Sequence, residues 1–276
     1  MPNEPANNLT TSAGRDAWAH LVSYPEQGLV ALDYDGTLAP IVARPEEAVA
    51  QPGIVDALAA LAAHGVQIAV ITGRPVEAAL SLGRLAAVPG LVLLGHYGLQ
   101  RWHDGELSSP EQGAGVPVAH RRLVDYVAEN DASMTVEDKH HSVALHTRNA
   151  VDPAGSFEAA TPMAHALAEE TGLELVPGRF VLELRPAGTD KGGALRAVVA
   201  ETHRRALLFA GDDLGDLPAV AAIGELRGAG VHGMVVCSDS PETPAALRDA
   251  ADLVVAGPPG VLATLLALEQ DIASAR

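Results

Sequence analysis

Two carboxylates, Asp33 and Asp35, stand two residues apart directly after the apolar run of residues 29–32. The first carboxylate can attack an electrophile, and the second points the same way if strand alternation persists, so it can serve as a proton donor. Gly36 then lets the backbone turn away. Aspartate and glycine are also common turn formers after any strand, so the motif alone fits a solvated turn as well as a reactive site.

Two further segments have features that suit a phosphate group. Thr72 follows the apolar run 68–71 and offers a hydroxyl beside the backbone N–H groups of a predicted helix start, with Arg74 two residues on. Thr72 also fits a plain helix N-cap. Lys191 opens a later predicted helix, where its charge adds to the positive end of the helix dipole. Because this placement is unfavourable for folding, it suggests an anion to be held there; an ordinary surface lysine at a helix start is the alternative.

An acidic loop follows the apolar run 207–209 and contains Asp212, Asp213 and Asp216 within five positions. Like charges so close are costly unless a cation neutralises them, and hard oxygen ligands favour Mg²⁺. A solvated acidic loop is the alternative. All four polar segments follow predicted strands or open predicted helices, and their roles are complementary, so together they favour a single reactive site.

The elements that position these segments alternate between short apolar runs and helical periodicity. The predicted strands are residues 29–32, 68–71, 91–94, 207–209, 234–236 and 253–255. This pattern predicts an α/β fold with a doubly wound, Rossmann-like parallel sheet. The carboxyl ends of such strands form one crevice, and we expect the polar segments to meet there.

The middle of the chain has a different sequence pattern, because its strand-like runs alternate apolar with polar residues. Such one-sided strands fit an antiparallel sheet, and helical stretches near 118–129 and 157–170 would cover one of its faces. Residues 108–117 are rich in glycine and proline and are predicted to be a loop. The predicted domains are a disordered tail at 1–14, a catalytic core at 15–102 and 185–276, and an inserted α+β cap at 103–184.

Composition excludes several classes of partner. The 276 residues carry 18 Lys and Arg against 35 Asp and Glu, a formal net charge of −17, which repels nucleic acid and anionic membranes. An anionic substrate must therefore meet a local cation or a metal. The single cysteine, Cys237, excludes an internal disulfide and lies in an apolar setting typical of a core residue. No run of about eighteen apolar residues and no secretory start are present, so we predict a cytoplasmic protein.

The order of the motifs resembles the haloacid-dehalogenase-like (HAD) phosphohydrolases, which combine DxDGT, a threonine, a lysine and a GDD loop. The resemblance implies that Asp33 forms an aspartyl-phosphate and that Asp35 is the general acid/base. It implies that Thr72 and Lys191 hold the transferring phosphoryl group. An aspartate is already ionised at neutral pH and needs no activating base, only protection from repulsion by the phosphate.

The same resemblance implies a Mg²⁺ site. Its ligands would be the Asp33 carboxylate, the Asp35 backbone carbonyl and Asp212, with Asp213 and Asp216 as outer or alternative ligands. Together with Lys191, the cation would offset the charge of a dianionic phosphate.

The cap pattern K-x-x-S-x-x-x-H-x-R resembles the trehalose-6-phosphate phosphatases, as does a glutamate shortly before the Lys191 segment. The loop containing His96 matches a glycine-containing loop of that family. The substrate-binding residues predicted in this way are Arg74, His96, Glu137, Lys139, Ser142, His146, Arg148 and Glu183. Ser142, His146 and Arg148 share parity, so in a strand they would share one face. As residue types alone, the cap residues also fit the polar outer face of a half-exposed sheet. Three positions depart from the family pattern, and their roles are left open: Gly215, Leu217 and Gln100.

The resemblance implies Mg²⁺-dependent hydrolysis of a small-molecule sugar phosphate, trehalose 6-phosphate, with a functional link to a trehalose-6-phosphate synthase. A phosphatase for another sugar phosphate, such as sucrose phosphate, is the nearest alternative. Two alternatives from other classes are a phosphorylatable signalling receiver and a catalytically silent partner subunit. The aspartate at plus two and the long insertion disfavour the receiver, and the complete set of core residues disfavours the silent partner.

Overall fold

The computed structural model describes residues 8–42 and 44–275. The chain divides into two compact units, the first formed by Met1–Ser108 with Asp190–Arg276 and the second by Ser109–Thr189. The second unit is an insertion between the two segments of the first. No helix in the described ranges is long and apolar enough to cross a bilayer.

Twelve strands and nine helices are described in these ranges, with five short 3₁₀ helices between them. The strands are β1 (Gly28–Leu32), β2 (Gln67–Ile71), β3 (Val92–Gly95), β4 (Gln100–His103), β5 (Glu106–Ser108), β6 (Thr135–Asp138), β7 (Val143–His146), β8 (Leu173–Gly178), β9 (Val181–Pro186), β10 (Ala206–Gly211), β11 (His232–Asp239) and β12 (Leu253–Ala256). The helices are α1 (Ser12–Ser23), α2 (Ile54–Ala63), α3 (Val76–Gly83), α4 (Gly115–Asn130), α5 (Pro153–Thr171), α6 (Lys191–Thr202), α7 (Leu217–Gly228), α8 (Ala245–Ala250) and α9 (Gly257–Ala275). The 3₁₀ helices are Pro25–Gln27, Pro45–Glu47, Leu85–Ala87, His96–Gly98 and Leu214–Asp216.

The first unit is built on an eight-stranded sheet with the order β12-β11-β10-β1-β2-β3-β4-β5. Pairing is parallel from β12 to β3 and antiparallel for the last two strands. Strand β1 is buried on both faces, because Val30 and Leu32 pack into one core and Leu29 and Ala31 into the other. Helices α1, α2, α3 and α9 cover the first face, and α6, α7 and α8 cover the second. The predicted doubly wound sheet is confirmed.

The hairpin of β4 and β5 corrects the predicted start of the cap. We predicted the insertion at 103–184, but both strands extend the large sheet, and the second unit runs from Ser109 to Thr189. Asp104 and Gly105 form the turn with positive φ angles of 49° and 87°, as a two-residue hairpin requires. The predicted boundary at residue 103 therefore falls inside this hairpin, at the last residue of β4.

The second unit contains a four-stranded antiparallel sheet with the order β6-β7-β9-β8. Helices α4 and α5 pack on one face through residues such as Leu123 and Leu167, which meet Val143 and Leu182 of the sheet. The predicted one-sided sheet and its two helices are confirmed. Strand β8 was not predicted, and α4 begins at Gly115, inside the predicted loop 108–117.

The predicted disordered tail, residues 1–14, lies outside the described residues over positions 1–7. Residues 8–14 are ordered, which contradicts that part of the prediction. Leu9 is buried, Thr10 N donates to Asp252 O at 2.9 Å, and Thr11 caps α1 by accepting from Gly14 N at 2.9 Å. Cys237 is fully buried, as predicted for a core residue.

Candidate active site

The site begins at the end of β1, the strand between β10 and β2. Asp33 is 4% exposed, and its backbone N donates to Ala210 O at 2.9 Å. Gly36 has φ +71°, and a Cβ atom there would overlap the carboxylate of Asp212. Only glycine therefore allows the acidic loop to approach the turn this closely.

Ser238, at the carboxyl end of β11, holds the same turn from the other side. Its Oγ donates to Gly36 O at 2.6 Å, and the side chain is fully buried. The sequence prediction missed this residue. Its signal was a polar residue at the end of the apolar run 234–237, at the strand edge where the other functional segments lie.

Asp35 pairs with Arg74, which follows β2. Arg74 Nε donates to Asp35 Oδ2 and Nη2 donates to Oδ1, both at 2.7 Å. The buried Thr72 accepts from Arg74 N through its Oγ1 at 3.1 Å. Since α3 begins at Val76, Thr72 is not its N-cap.

His96 lies in a tight turn after β3. Both His96 and Tyr97 have left-handed φ angles, 48° and 58°. Their backbone N–H groups donate to Arg74 O at 3.0 Å and Thr72 O at 2.9 Å, so the turn is fastened to the segment after β2. Nearby, Gln100 Oε1 accepts from Val76 N at 2.9 Å, so this departure from the family pattern satisfies the first backbone N–H of α3.

Lys191 stands at the first position of α6, whose N-cap Asp190 accepts from Gly193 N at 2.7 Å. Its Nζ lies 2.7 Å from Asp33 Oδ1 and 2.7 Å from Asp216 Oδ1. The position of Lys191 at a helix start suggested a nearby anion. The carboxylates of Asp33 and Asp216 supply part of that negative charge.

The acidic loop after β10 turns two of its three carboxylates inward. Asp216 Oδ2 accepts from Asp212 N at 2.8 Å and from Asp213 N at 3.1 Å. Asp213 Oδ1 accepts from Gly215 N at 2.8 Å and caps the 3₁₀ turn. The carboxylates brought together are those of Asp33, Asp212 and Asp216, whose oxygens lie within 4.8 Å of one another. We predicted both Asp213 and Asp216 as outer or alternative ligands, and of these two it is Asp216 that lies in this group.

The charges of this cluster fit a divalent cation. Three buried carboxylates face one ammonium, which leaves a formal charge of −2. Burial raises the pKa of Asp212 to about 10, and the charge of Asp33 adds to the effect. Burial also raises the pKa of Asp33 well above its usual range, although Lys191 opposes the shift. The cluster of three carboxylates stays fully ionised only if a further positive charge is supplied.

Asp216 is the least available of the three carboxylates for a metal. It already accepts from Lys191 and from two backbone N–H groups. Burial lowers the pKa of Lys191, but Asp216 and Asp33 outweigh it and hold that pKa well above its usual range. The donor set therefore favours Asp33 and Asp212 as ligands, with Asp216 fixing the loop and the ammonium.

The second unit carries its own polar cluster on the sheet face that the helices leave uncovered. Ser142 Oγ donates to Glu183 Oε1 at 2.7 Å, and Lys139 Nζ lies 3.4 Å from the same oxygen. His146 Nε2 lies 2.9 Å from Glu137 Oε2. Glu137 and Glu183 are both paired in register with Ala144, so they share one face.

Arg148 does not follow the predicted parity with Ser142 and His146. Strand β7 ends at His146, and Arg148 lies in the turn beyond it, where it is exposed. The alternation of side chains along β7 therefore does not predict where the Arg148 side chain points.

The fold is shared with known HAD hydrolases. A haloacid dehalogenase-like hydrolase from Bacteroides thetaiotaomicron has a TM-score of 0.61 and 17% identity, covering 87% of this chain and 98% of that chain. The C-terminal domain of a trehalose-6-phosphate phosphatase from C. albicans has a TM-score of 0.74 and 22% identity, covering 92% and 96%. At these identities the likeness defines the fold alone, that of a HAD-like hydrolase with an inserted cap.

Sequence comparison defines the family within that fold. The sequence model of the trehalose-phosphatase family matches residues 31–251, and this chain belongs to that family. The trehalose-phosphate phosphatase of Mycobacterium marinum is 33% identical over 213 residues, which cover 71% of this chain and 51% of that protein. The chain spans about half the length of the mycobacterial trehalose-phosphate phosphatases it matches.

Proposed function

We propose that this chain hydrolyses trehalose 6-phosphate to trehalose and inorganic phosphate, with Mg²⁺ as cofactor and Asp33 as the covalent nucleophile. The observation that carries the proposal is the placement of Lys191 Nζ, 2.7 Å from Asp33 Oδ1, in a chain of the trehalose-phosphatase family. A buried ammonium beside a carboxylate offsets the repulsion that an anionic nucleophile meets at a phosphate dianion.

The reaction proceeds in two steps. In the first, an oxygen of Asp33 bonds to phosphorus while the bond from phosphorus to the sugar oxygen breaks, and protonated Asp35 gives its proton to that leaving oxygen. In the second, water attacks phosphorus and gives a proton to the Asp35 carboxylate. The bond from phosphorus to Asp33 then breaks, which releases phosphate and restores both aspartates. Lys191 and the hydroxyl of Thr72 hold the phosphoryl oxygens.

The carboxylates of Asp33 and Asp212 would hold the Mg²⁺ ion, and the Asp35 backbone carbonyl remains a predicted third ligand. When bound, the cation supplies positive charge for the phosphoryl oxygens. Gly36 and Ser238 keep the ligand-bearing turn in place, and Asp216 keeps Lys191 directed at Asp33.

The sugar is assigned to the polar cluster of the second unit. Carboxylates, a lysine, a serine and a histidine in one cluster offer both donors and acceptors, as sugar hydroxyls require. Membership of the trehalose-phosphatase family supports trehalose rather than sucrose as that sugar. A trehalose-6-phosphate synthase is the enzyme that we expect to supply the substrate, and the cytoplasm is the compartment we predict.

Phosphate release across a panel of substrates tests the proposal. The panel contains trehalose 6-phosphate, sucrose 6-phosphate, glucose 6-phosphate and p-nitrophenyl phosphate, each with Mg²⁺ and with a chelator. We expect kcat/KM for trehalose 6-phosphate to exceed that for the other sugar phosphates by about 10²-fold or more, and the chelator to remove all turnover until Mg²⁺ is restored. Preference for sucrose phosphate would change the sugar but keep the reaction.

Two other outcomes would overturn the reaction itself. A phosphorylated protein that releases no phosphate would indicate a signalling receiver, and no phosphoryl uptake at all would indicate a silent partner. The metal site has an independent readout, because Mg²⁺ should raise the Tm of the native protein and raise it less in Asp212→Asn. An equal rise in both proteins would contradict the assignment of Asp212 as a ligand.

A further inference from the structure

The guanidinium of Arg74 and the carboxylate of Asp35 form a two-point contact that fixes the plane of the carboxylate. Nε and Nη2 each donate to a different carboxylate oxygen at 2.7 Å. A planar fork that matches a planar carboxylate at two points restricts its rotation, which a single ammonium contact does not. The Asp35 side chain remains 42% exposed, so one side of it stays accessible.

Arg74 is itself held by groups of the protein. Its Nη1 donates to Pro45 O at 2.9 Å, and its guanidinium carbon lies 5.4 Å from the centre of the Tyr34 ring. Tyr34 is fully buried, and its hydroxyl donates to Ala48 O at 2.8 Å. The guanidinium is therefore oriented from three directions: the catalytic turn, the Pro45–Glu47 turn and an aromatic face.

We propose that Arg74 is a positioning residue that sets the orientation of Asp35 and does not bind the substrate. The inference rests on the proposed function and concerns the ionised Asp35, which takes a proton from the attacking water in the second step, because a fork to both oxygens fits a carboxylate. It replaces the substrate contact that the sequence predicted for Arg74, because Nε, Nη1 and Nη2 all have acceptors within the protein. It also ties the acid/base to the Pro45–Glu47 turn, which follows it by ten residues.

The rate should depend on this orientation because proton transfer needs an aligned donor and acceptor. A misplacement of about 1 Å in a catalytic group can cost about 10²-fold in rate. Lysine keeps the positive charge but loses the fork. We expect Arg74→Lys to lower kcat for trehalose 6-phosphate by about 10- to 100-fold while changing KM by less than about threefold.

A double-mutant cycle separates positioning from substrate binding. Arg74→Lys is combined with Asp35→Ala, and kcat/KM is measured for all four proteins. If Arg74 acts only through Asp35, it should change the rate by less than about twofold once Asp35 is removed. Independent losses that multiply in the double variant, or a raised KM with unchanged kcat in the single one, would show that Arg74 binds substrate and overturn the proposal.

A matched control and a structural readout complete the test. Arg101→Lys makes the same substitution in an ion pair elsewhere in the first unit, a more exposed contact from Arg101 Nη2 to Glu201 Oε1 at 2.7 Å, and should leave kcat unchanged. Crystal structures of the native protein and Arg74→Lys should show the Asp35 carboxylate rotated in the variant, and an unchanged carboxylate would overturn the proposal. The crystal structures test the positioning role of Arg74 even if the protein does not turn over trehalose 6-phosphate. A failure to turn over that substrate would refute the proposed function instead.

Discussion

The ammonium of Lys191 lies 2.7 Å from Asp33 Oδ1, with only 4% and 6% of the two side chains exposed. Lys191 also lies 2.7 Å from Asp216, so one cation serves two buried carboxylates. Three elements supply these groups: the end of β1, the start of α6 and the acidic loop after β10. Their convergence links the stability of the fold to the chemistry of the site.

Replacing Lys191 should damage both activity and stability. Lys191→Met removes the charge that faces the phosphoryl group and leaves two buried carboxylates without their cation. We expect kcat to fall by about 10²-fold or more and the free energy of unfolding to fall by about 3–5 kcal/mol. Steady-state kinetics and denaturant unfolding measure the two effects.

Arg227→Met is the matched control for Lys191→Met. Arg227 Nη2 lies 2.5 Å from the buried carboxylate of Asp252, and Arg227 is the penultimate residue of α7, at the opposite end of that helix from the acidic loop. The Arg227→Met protein should lose stability but keep its kcat. A Lys191→Met protein that retains native kcat would remove Lys191 from the mechanism.

A methyl group at Gly36 should disable the site through Asp212. The added Cβ would overlap the Asp212 carboxylate, so the acidic loop must move away from the turn. We expect Gly36→Ala to lose turnover by about 10²-fold or more, since a displacement of about 1 Å suffices for that loss. Phosphate release at saturating Mg²⁺ measures it.

Gly90→Ala provides the comparison for Gly36→Ala. Gly90 also has a left-handed φ, +63°, but no atom lies within 4 Å of its added Cβ. Both variants carry the backbone cost of about 1–2 kcal/mol, and only Gly36→Ala should lose turnover. Equal activity of the two variants would show that the close approach of Asp212 is not needed.

Ser238 should act through the backbone of the catalytic turn. Ser238→Ala leaves the Gly36 carbonyl without the donor that lies 2.6 Å away. We expect a loss of about 1–3 kcal/mol in the free energy of unfolding and a drop in kcat with little change in KM. In the control Thr264→Val, a buried hydroxyl that donates to Gly260 O is removed from α9, which should cost stability alone. Identical kinetics for both variants would limit Ser238 to a structural role.

Glu183 should discriminate between substrates. It is 5% exposed and accepts from Ser142 at 2.7 Å, so its removal disrupts the polar cluster of the second unit. We expect Glu183→Ala to lower kcat/KM for trehalose 6-phosphate by about 10²-fold or more while p-nitrophenyl phosphate is affected far less. Glu174→Ala, at an exposed position of the same sheet, is the control. Equal losses on both substrates would point to a folding defect.

The sequence predicted the layers of the fold because β1, β2 and β10 are buried on both faces and so appear as continuous apolar runs. It missed the hairpin of β4 and β5, whose short polar strands lie at the edge of the sheet. The Asp104–Gly105 turn was the available signal.

Within the site, the sequence predicted which residue types are present but not which way their side chains point. Three acids in five positions cannot show which two turn inward; the 3₁₀ turn at Leu214–Asp216 turns Asp216 toward Lys191 and leaves Asp213 as the cap. The pairing of Asp35 with Arg74 spans 39 residues and depends on how two adjacent strands end. Such contacts arise from packing between elements, which no local pattern encodes.

Acid quenching during turnover of trehalose 6-phosphate tests the central claim most directly. The protein is mixed with substrate and Mg²⁺, quenched in acid, digested and analysed by mass spectrometry. We predict that the peptide containing Asp33 gains the mass of one phosphoryl group in the native protein, and that Asp33→Asn shows neither this adduct nor phosphate release. Rapid turnover without an adduct, together with substantial turnover by Asp33→Asn, would contradict the assignment of Asp33 as the nucleophile.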